Sequence, residues 1–223
     1  MISSKSFYDF IARDYNGQMT KSDDEVRKRV MNIFSSMVPG GLALDFGGGT
    51  GLDLPWLVNK YVVYFLEPST AMRSIAKDSL AQTGNNPKIV EENTDFHEWS
   101  AGHLPFTQKM NGILANFAVL NCIQDIACLF EKLQLLCAQN AMVVATVLDT
   151  SFLRAVDLYS LKAAVKILLH IPVRTENNYR EMQQDVFLHT RFQYRTAAKK
   201  YFNVISYSAI KSSHFAVLIL SKK

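Results

Sequence analysis

The chain has 223 residues, 48% of them hydrophobic and 20% charged, a balance that supports one domain with a full core and excludes a disordered chain. Its formal net charge is only +4, and the basic residues are scattered, so nucleic acid is not expected as the main partner. The one short basic run, Arg27-Lys28-Arg29, stands beside Asp23, Asp24 and Glu25 and reads as a solvated helix face.

Three cysteines (Cys122, Cys128 and Cys137) form no CxxC pair and read as buried free thiols. The first fifteen residues carry acids and aromatics rather than an unbroken apolar segment, so no signal peptide is expected and the setting reads as cytoplasmic. No apolar run has the length of a membrane span, because the stretch 163–173 is interrupted by Lys166, His170 and Pro172.

In chain order, Ser22 and Glu25 predict a capping box that opens a helix through Val26, Val30, Ile33, Phe34 and Met37, closed by Pro39-Gly40-Gly41. A short apolar run, 42–44, then predicts a buried strand that ends at Asp45 and a glycine cluster. A short helix (52–58), a strand (61–66) and a helix (71–82, closed by Gly84 and Pro87) follow. Strands are expected at 88–91, 112–117 and 141–148, with an amphipathic helix over 125–139 whose inner face carries Ile126, Leu129, Phe130, Leu133, Leu136 and Cys137. Alternating strands and helices predict βαβ units, hence a largely parallel sheet with helices on both faces. The runs 203–210 and 215–220, joined by Lys211-Ser212-Ser213-His214, have hairpin spacing and predict an antiparallel end to that sheet. Between them and strand five lie an amphipathic helix (152–170), a polar segment (174–184) and a strand-like run (186–194). Residues from about 150 to 195 are therefore expected to form a covering insertion over the ligand edge of a single domain spanning 1–223.

The segment Asp45-Phe46-Gly47-Gly48-Gly49-Thr50-Gly51 carries most of the chemical information. A strand running into a loop without side chains lets a ligand pack against bare backbone near the free N–H groups of the next helix. A dinucleotide fingerprint counted from Gly47 and Gly49 would need a third glycine where Leu52 stands, and no Gly-Lys-Ser/Thr follows for a Walker loop. An acid two residues before the first glycine opposes a pyrophosphate but suits a cationic ligand.

This segment resembles motif I of the class I S-adenosylmethionine (SAM)-dependent methyltransferases, and the downstream features fall in that family's order. The resemblance spans roughly residues 7–148, with the terminal hairpin also fitting, and implies a Rossmann-like mixed seven-stranded sheet. It implies SAM as cofactor and S-adenosylhomocysteine (SAH) as product; no His/Cys/acid grouping has metal-ligand spacing, so no metal is expected. On this reading Asp45, Gly47, Gly49, Thr50 and Gly51 surround the amino-acid end of SAM, and Glu67, sixteen residues after Gly51, takes the ribose hydroxyls. Pro68, Ser69 and Met72 resemble the adenine-side wall, Thr94, Asp95 and Phe96 the adenine edge, and Asn116, Phe117 and Ala118 the site beside the methionine. Tyr8 and Tyr15, seven apart on one helix face, resemble an entry helix that closes over the cofactor. Two positions depart from the pattern: Asn16 stands where many relatives have an acid, and Asn111 where an aspartate is usual.

Methyl transfer from a sulfonium needs chiefly positioning, with a base only if the acceptor must lose a proton. In the covering segment His189, Arg191 and Tyr194 form the most polar cluster, and in a strand His189 and Arg191 would share a face. His189 is the candidate base or orienting group, with a structural strand histidine as the alternative. Arg191 and Tyr194 are candidate acceptor contacts. The helix over 152–170, with Phe152, Leu153, Val156, Leu158, Leu161, Val165, Leu168 and Leu169 interleaved with Arg154, Lys162 and Lys166, reads as a lid or core helix, with a membrane-surface helix as the alternative. A small, partly apolar acceptor is the leading expectation. An RNA or protein methyltransferase and a non-catalytic SAM-binding module remain as alternatives, and the oligomeric state is left open.

Overall fold

A computed structural model describes residues 4–81, 87–211 and 213–223, with side chains omitted at 152 and 153. Gln82 and Gly84 at the end of the expected third helix, and Ser212 in the hairpin connection, lie outside the described residues, as do the side chains of Phe152 and Leu153.

Seven strands form one sheet. They are β1 (Leu42–Phe46), β2 (Val62–Leu66), β3 (Lys88–Val90), β4 (Met110–Ala115), β5 (Cys137–Leu148), β8 (Phe202–Ala209) and β9 (Phe215–Lys222), in the order β3-β2-β1-β4-β5-β9-β8. The first five are parallel neighbours, and β9 joins β5 and β8 antiparallel. The expected mixed sheet is thus present.

Alternation along these strands explains the layers. Leu44, Phe46, Tyr64, Leu66, Ile113 and Ala115 point to one face, where they meet α5 (Ile126–Leu136) and α8 (Arg191–Ala198). Their neighbours Ala43, Val63, Phe65 and Leu114 point to the other, under α2 (Lys21–Met37), α3 (Leu54–Leu57) and α4 (Thr70–Ala81). Packing there leaves no slack: a Cβ on Gly112 would lie 2.7 Å from both Phe34 and Val38 of the α2 layer. A separate helix, α1 (Ser4–Tyr15), lies against α4 through Phe7, Ile11, Ala12 and Met72.

Several expectations are corrected by local chemistry. The box that opens α2 is Thr20 with Asp23, not Ser22 with Glu25: Thr20 Oγ1 accepts from the Asp23 N–H and the Asp23 carboxylate accepts from the Thr20 N–H at 2.8 Å. Helix α5 stops at Leu136 because Cys137 pairs with Met110 of β4, so residues expected to be helical through 139 belong to β5. The single helix expected over 152–170 is two, α6 (Phe152–Leu158) and α7 (Leu161–Leu168), because Ser160 turns its hydroxyl onto the Ala163 N–H at 3.0 Å and starts a new helix. The polar segment at 174–184 is a hairpin, β6 (Val173–Tyr179) with β7 (Met182–Leu188). The run expected as strand through 194 ends at Leu188, since Thr190 and Gln193 form a reciprocal capping box and begin α8.

Candidate functional site

In-register parallel pairing brings Phe46 beside Leu66, so the residues that follow β1 and β2 leave the sheet together. The chain connects β1 to β2 on one side and meets β4 on the other, and a crevice opens where strand order reverses. Gly47, Glu67 and Asn116 are the first residues beyond β1, β2 and β4 and stand at its base.

The glycine loop is shaped by close approach on one side and space on the other. Gly47, at φ +70, has no room for a Cβ, which would lie 2.6 Å from Val119. At Gly49, φ +58, a Cβ would meet only the Tyr15 ring at 3.9 Å, so this stretch of bare backbone borders open volume. Glu67 ties the loop to β2: its two carboxylate oxygens accept one N–H each, from Gly49 at 2.9 Å and Ser69 at 2.7 Å. Burial pushes the Glu67 carboxyl up from its ordinary value, partly offset by those two N–H groups.

Asp45 lies beneath the loop rather than in the crevice wall. It is 1% exposed, and its Oδ2 has no hydrogen-bond partner among the described residues. Burial and then the charge of Asp53 raise its pKa well above the carboxylate range, with Arg27 opposing. Thr50 is buried and donates to Asn16 Oδ1, which gives that asparagine a bracing role. Gly51 packs on α4 and Ser69 holds the start of that helix, so neither reaches the crevice wall. Asn111 accepts from the Leu42 N–H at 2.9 Å and links the starts of β4 and β1.

Sequence reasoning missed a largely buried ion pair next to the loop. Arg27, expected on a solvated face, pairs with Asp53, which also accepts from Trp56 Nε1 at 2.9 Å and Asn116 Nδ2 at 3.0 Å. The Arg27 guanidinium lies 4.6 Å from the centre of the Phe117 ring. The Asn116 side chain is occupied within this network, since its Oδ1 accepts from the Thr146 hydroxyl at 2.9 Å. Phe117 and Ala118 both have positive φ, +55 and +61, which makes the exit from β4 a second sharp turn. No local pattern joins Arg27 to Asp53, which lies 26 residues further along the chain.

Helix α1 roofs the crevice. Tyr8 and Tyr15 both line it, in edge-to-face contact at 6.4 Å. Burial keeps both phenols neutral donors, pushing Tyr15 up to about 12. Tyr8 Oη lies 3.5 Å from Cys122 Sγ. Asp9 pins α1 to α4, accepting from Ser69 Oγ at 2.7 Å and the Ala71 N–H at 3.0 Å.

Together these residues bound a cavity of about 1820 Å³ that continues past Met72, Thr94, Asp95 and Phe96 to the hairpin, α8 and His189. The hairpin is held over it by α1 and by the turn after β4: Asn121 Nδ2 donates to the Phe187 carbonyl at 2.7 Å and Tyr179 Oη to Asp14 at 2.8 Å. Of the three residues expected to cluster at this end, only His189 lines it. Arg191 opens α8 and lines a smaller cavity of about 300 Å³ with Thr150, His170 and Tyr207, while Tyr194 is fully buried beneath the helix. The shared strand face for His189 and Arg191 does not exist, because the chain turns helical between them.

The His189 ring is fixed. Its Nε2 lies 2.8 Å from the Ile123 carbonyl, an acceptor only, so Nε2 carries the proton and Nδ1 keeps the lone pair in the neutral form. Burial lowers its pKa from 6.5, partly offset by that carbonyl. Because the folded-state pKa is depressed, the unfolded chain binds the extra proton first, and stability falls as pH drops below 6.5. The melting temperature is therefore expected to fall between pH 7.5 and 5.5, and a His189→Phe variant to fall less over that interval. Parallel slopes would show that His189 is not held neutral.

The fold has known relatives. A family model described as a methyltransferase domain matches residues 18–207. No curated protein matches the chain. Among solved structures, a SAM-dependent methyltransferase from Clostridium acetobutylicum is similar at 10% identity, covering 97% of this chain and 98% of that one with a TM-score of 0.65. DhpI in complex with SAH is similar at 12% identity, covering 97% and 94% with a TM-score of 0.70. Magnesium protoporphyrin IX methyltransferase from Synechocystis, with bound SAH, is similar at 16% identity, covering 99% and 95% with a TM-score of 0.63. The chain belongs to the class I SAM-dependent methyltransferases.

Proposed function

We propose that the chain transfers the methyl group of SAM to a small, partly apolar acceptor held at the hairpin end of the same cavity. The observation that carries this reading is volume. Pockets for single drug-sized ligands span about 300–1,000 Å³, and a cavity of about 1820 Å³ has room for a donor and an acceptor together. The names of similar proteins lean the same way, since one acts on magnesium protoporphyrin IX and another is an amino pentose methyltransferase.

The residues at the sheet end fit SAM. Gly49 offers bare backbone to open volume. Glu67 spends one acceptor site on each oxygen, which leaves lone pairs for two ribose hydroxyls. Glu67, which lines the crevice, carries the carboxylate on the donor side, whereas Asp45 stays below the loop. Pro68 and Met72 on one side and Thr94, Asp95 and Phe96 on the other are suited to an adenine ring, and Tyr8 and Tyr15 exclude water above it. Bound there, SAM supplies a sulfonium methyl group already activated for displacement. At the far end Phe187, Leu188 and Phe192 supply apolar wall, and residues 150–195 act as the acceptor cover. His189, neutral and with Nε2 committed to Ile123, can take an acceptor proton only at Nδ1.

Two measurements test the proposal. Replacing Glu67 by alanine removes an acceptor of two hydroxyl bonds to a charged group, each about 1.5–3 kcal/mol, so calorimetry should show SAH affinity reduced about a hundredfold or more. Affinity in the wild type should also decline with acidification through the raised Glu67 pKa, because the hydroxyls favour the carboxylate. The second measurement follows tritium from methyl-labelled SAM into pools of lipophilic phenols, amines and carboxylic acids, and into RNA and protein. Label in the small-molecule pools supports the proposal. Label confined to RNA or protein, or SAH binding without any transfer, overturns it.

A further inference from the structure

We propose that the outer face of α7 and the 169–171 segment rests on an anionic membrane surface, so that the acceptor enters the cavity from the bilayer. This rests on the reading of the hairpin end as the acceptor site. Of the eleven large apolar side chains exposed among the described residues, six lie between 156 and 171: Val156, Leu161, Val165, Leu168, Leu169 and Ile171. Leu161, Val165 and Leu168 follow helical spacing on α7 and are 63%, 43% and 63% exposed. The same helix buries Ala164 and Ile167 against the hairpin, so its outer stripe is a second apolar face with nothing packed on it among the described residues. An aqueous helix surface normally carries polar groups there.

Charge selects the occupant. Lys162 and Lys166 flank the stripe and are exposed, and Arg191 borders it at the smaller cavity with Leu168 and Phe192. Asp157 is the sole acid between 154 and 172. Apolar side chains at the centre and cations around them complement anionic headgroups over acyl chains. No described helix is long and apolar enough to cross a membrane, so the contact is interfacial. The face is also continuous with the site: Phe192, 55% exposed, stacks on His170 at 4.5 Å and lines the main cavity beside Pro172. An apolar acceptor dissolved in the bilayer would thus reach His189 without crossing water.

The test is co-sedimentation of the full chain with vesicles of phosphatidylcholine alone or with phosphatidylglycerol added, together with SAH calorimetry on the same samples. The wild type is expected to bind the anionic vesicles, weakly the neutral ones, and less as salt is raised. Removing one lysine charge, as in Lys166→Gln, should lower the partition about fivefold, and Leu161→Asp with Leu168→Asp should abolish it while SAH binding is unchanged. No vesicle binding, or binding that these surface variants leave intact, overturns the proposal. Sedimentation velocity giving a dimer that the aspartate variants convert to monomer would assign the face to a second copy instead. Loss of SAH binding in the wild type would sink the cofactor reading, not this one.

Discussion

Replacing Gly49 by arginine should leave a folded protein that binds neither SAM nor SAH. A Cβ at this position meets only Tyr15, at 3.9 Å, so the substitution costs little beyond the left-handed backbone, about 1–2 kcal/mol. The side chain, however, must extend into the crevice, where Glu67 already accepts from the Gly49 N–H. A guanidinium there fills the donor end and pairs with the carboxylate proposed to take the ribose hydroxyls. Calorimetry should show affinity reduced by about a thousandfold, roughly 4 kcal/mol, with circular dichroism unchanged. Gly48→Ala should behave in the opposite way, because its Cβ would lie 2.3 Å from Phe65 and 2.6 Å from Asp45, and the expected result is lost stability. Normal SAH binding by Gly49→Arg would mean that the loop does not face the ligand.

The second large effect belongs to Asp53. Alanine at this position leaves the part-buried Arg27 guanidinium and Trp56 N–H and the buried Asn116 amide without their shared acceptor. Breaking a fully buried ion pair from one side typically costs about 3–5 kcal/mol, and the part-buried guanidinium puts this pair near the lower end, still a large share of the roughly 5–15 kcal/mol that holds a typical domain together. Urea denaturation should report a loss of that size. Replacing both partners, Arg27→Met with Asp53→Leu, should recover part of it, since no charge is then stranded. A loss below about 1 kcal/mol for Asp53→Ala would show that the pair is solvated after all. Because Asn116 and Phe117 belong to this network, the variant should also loosen the wall of the crevice and weaken SAH binding in the surviving folded protein.

What was legible in the chain depended on whether the signal was local. The glycine loop, the strand end at Leu66, Glu67 and the Tyr8–Tyr15 spacing are readable, because a buried strand needs a continuous apolar run and a helix repeats its face every seven residues, whereas β1 runs past the expected 42–44 to Phe46. Capping was harder, since Thr20 with Asp23 and Ser22 with Glu25 overlap by two residues and only the first satisfies both backbone donors. At Thr190 and Gln193 the same signature competes with the apolar run before it, and the capping box wins, so His189 and Arg191 do not share a strand face. Arg27 was invisible as a buried partner because its acid lies 26 residues away across a helix–loop contact. The position of Asp45 in the motif implies an acid beside the ligand, whereas the fold turns it under the loop.

The measurement that bears most directly on the cofactor site is a crystal structure of the chain grown with SAH. Density for the ligand should run along the Gly47–Gly49 backbone with its ribose at Glu67 and its adenine between Met72 and Phe96. Density elsewhere in the cavity, or an empty crevice at saturating SAH, would contradict the assignment of every donor-side residue.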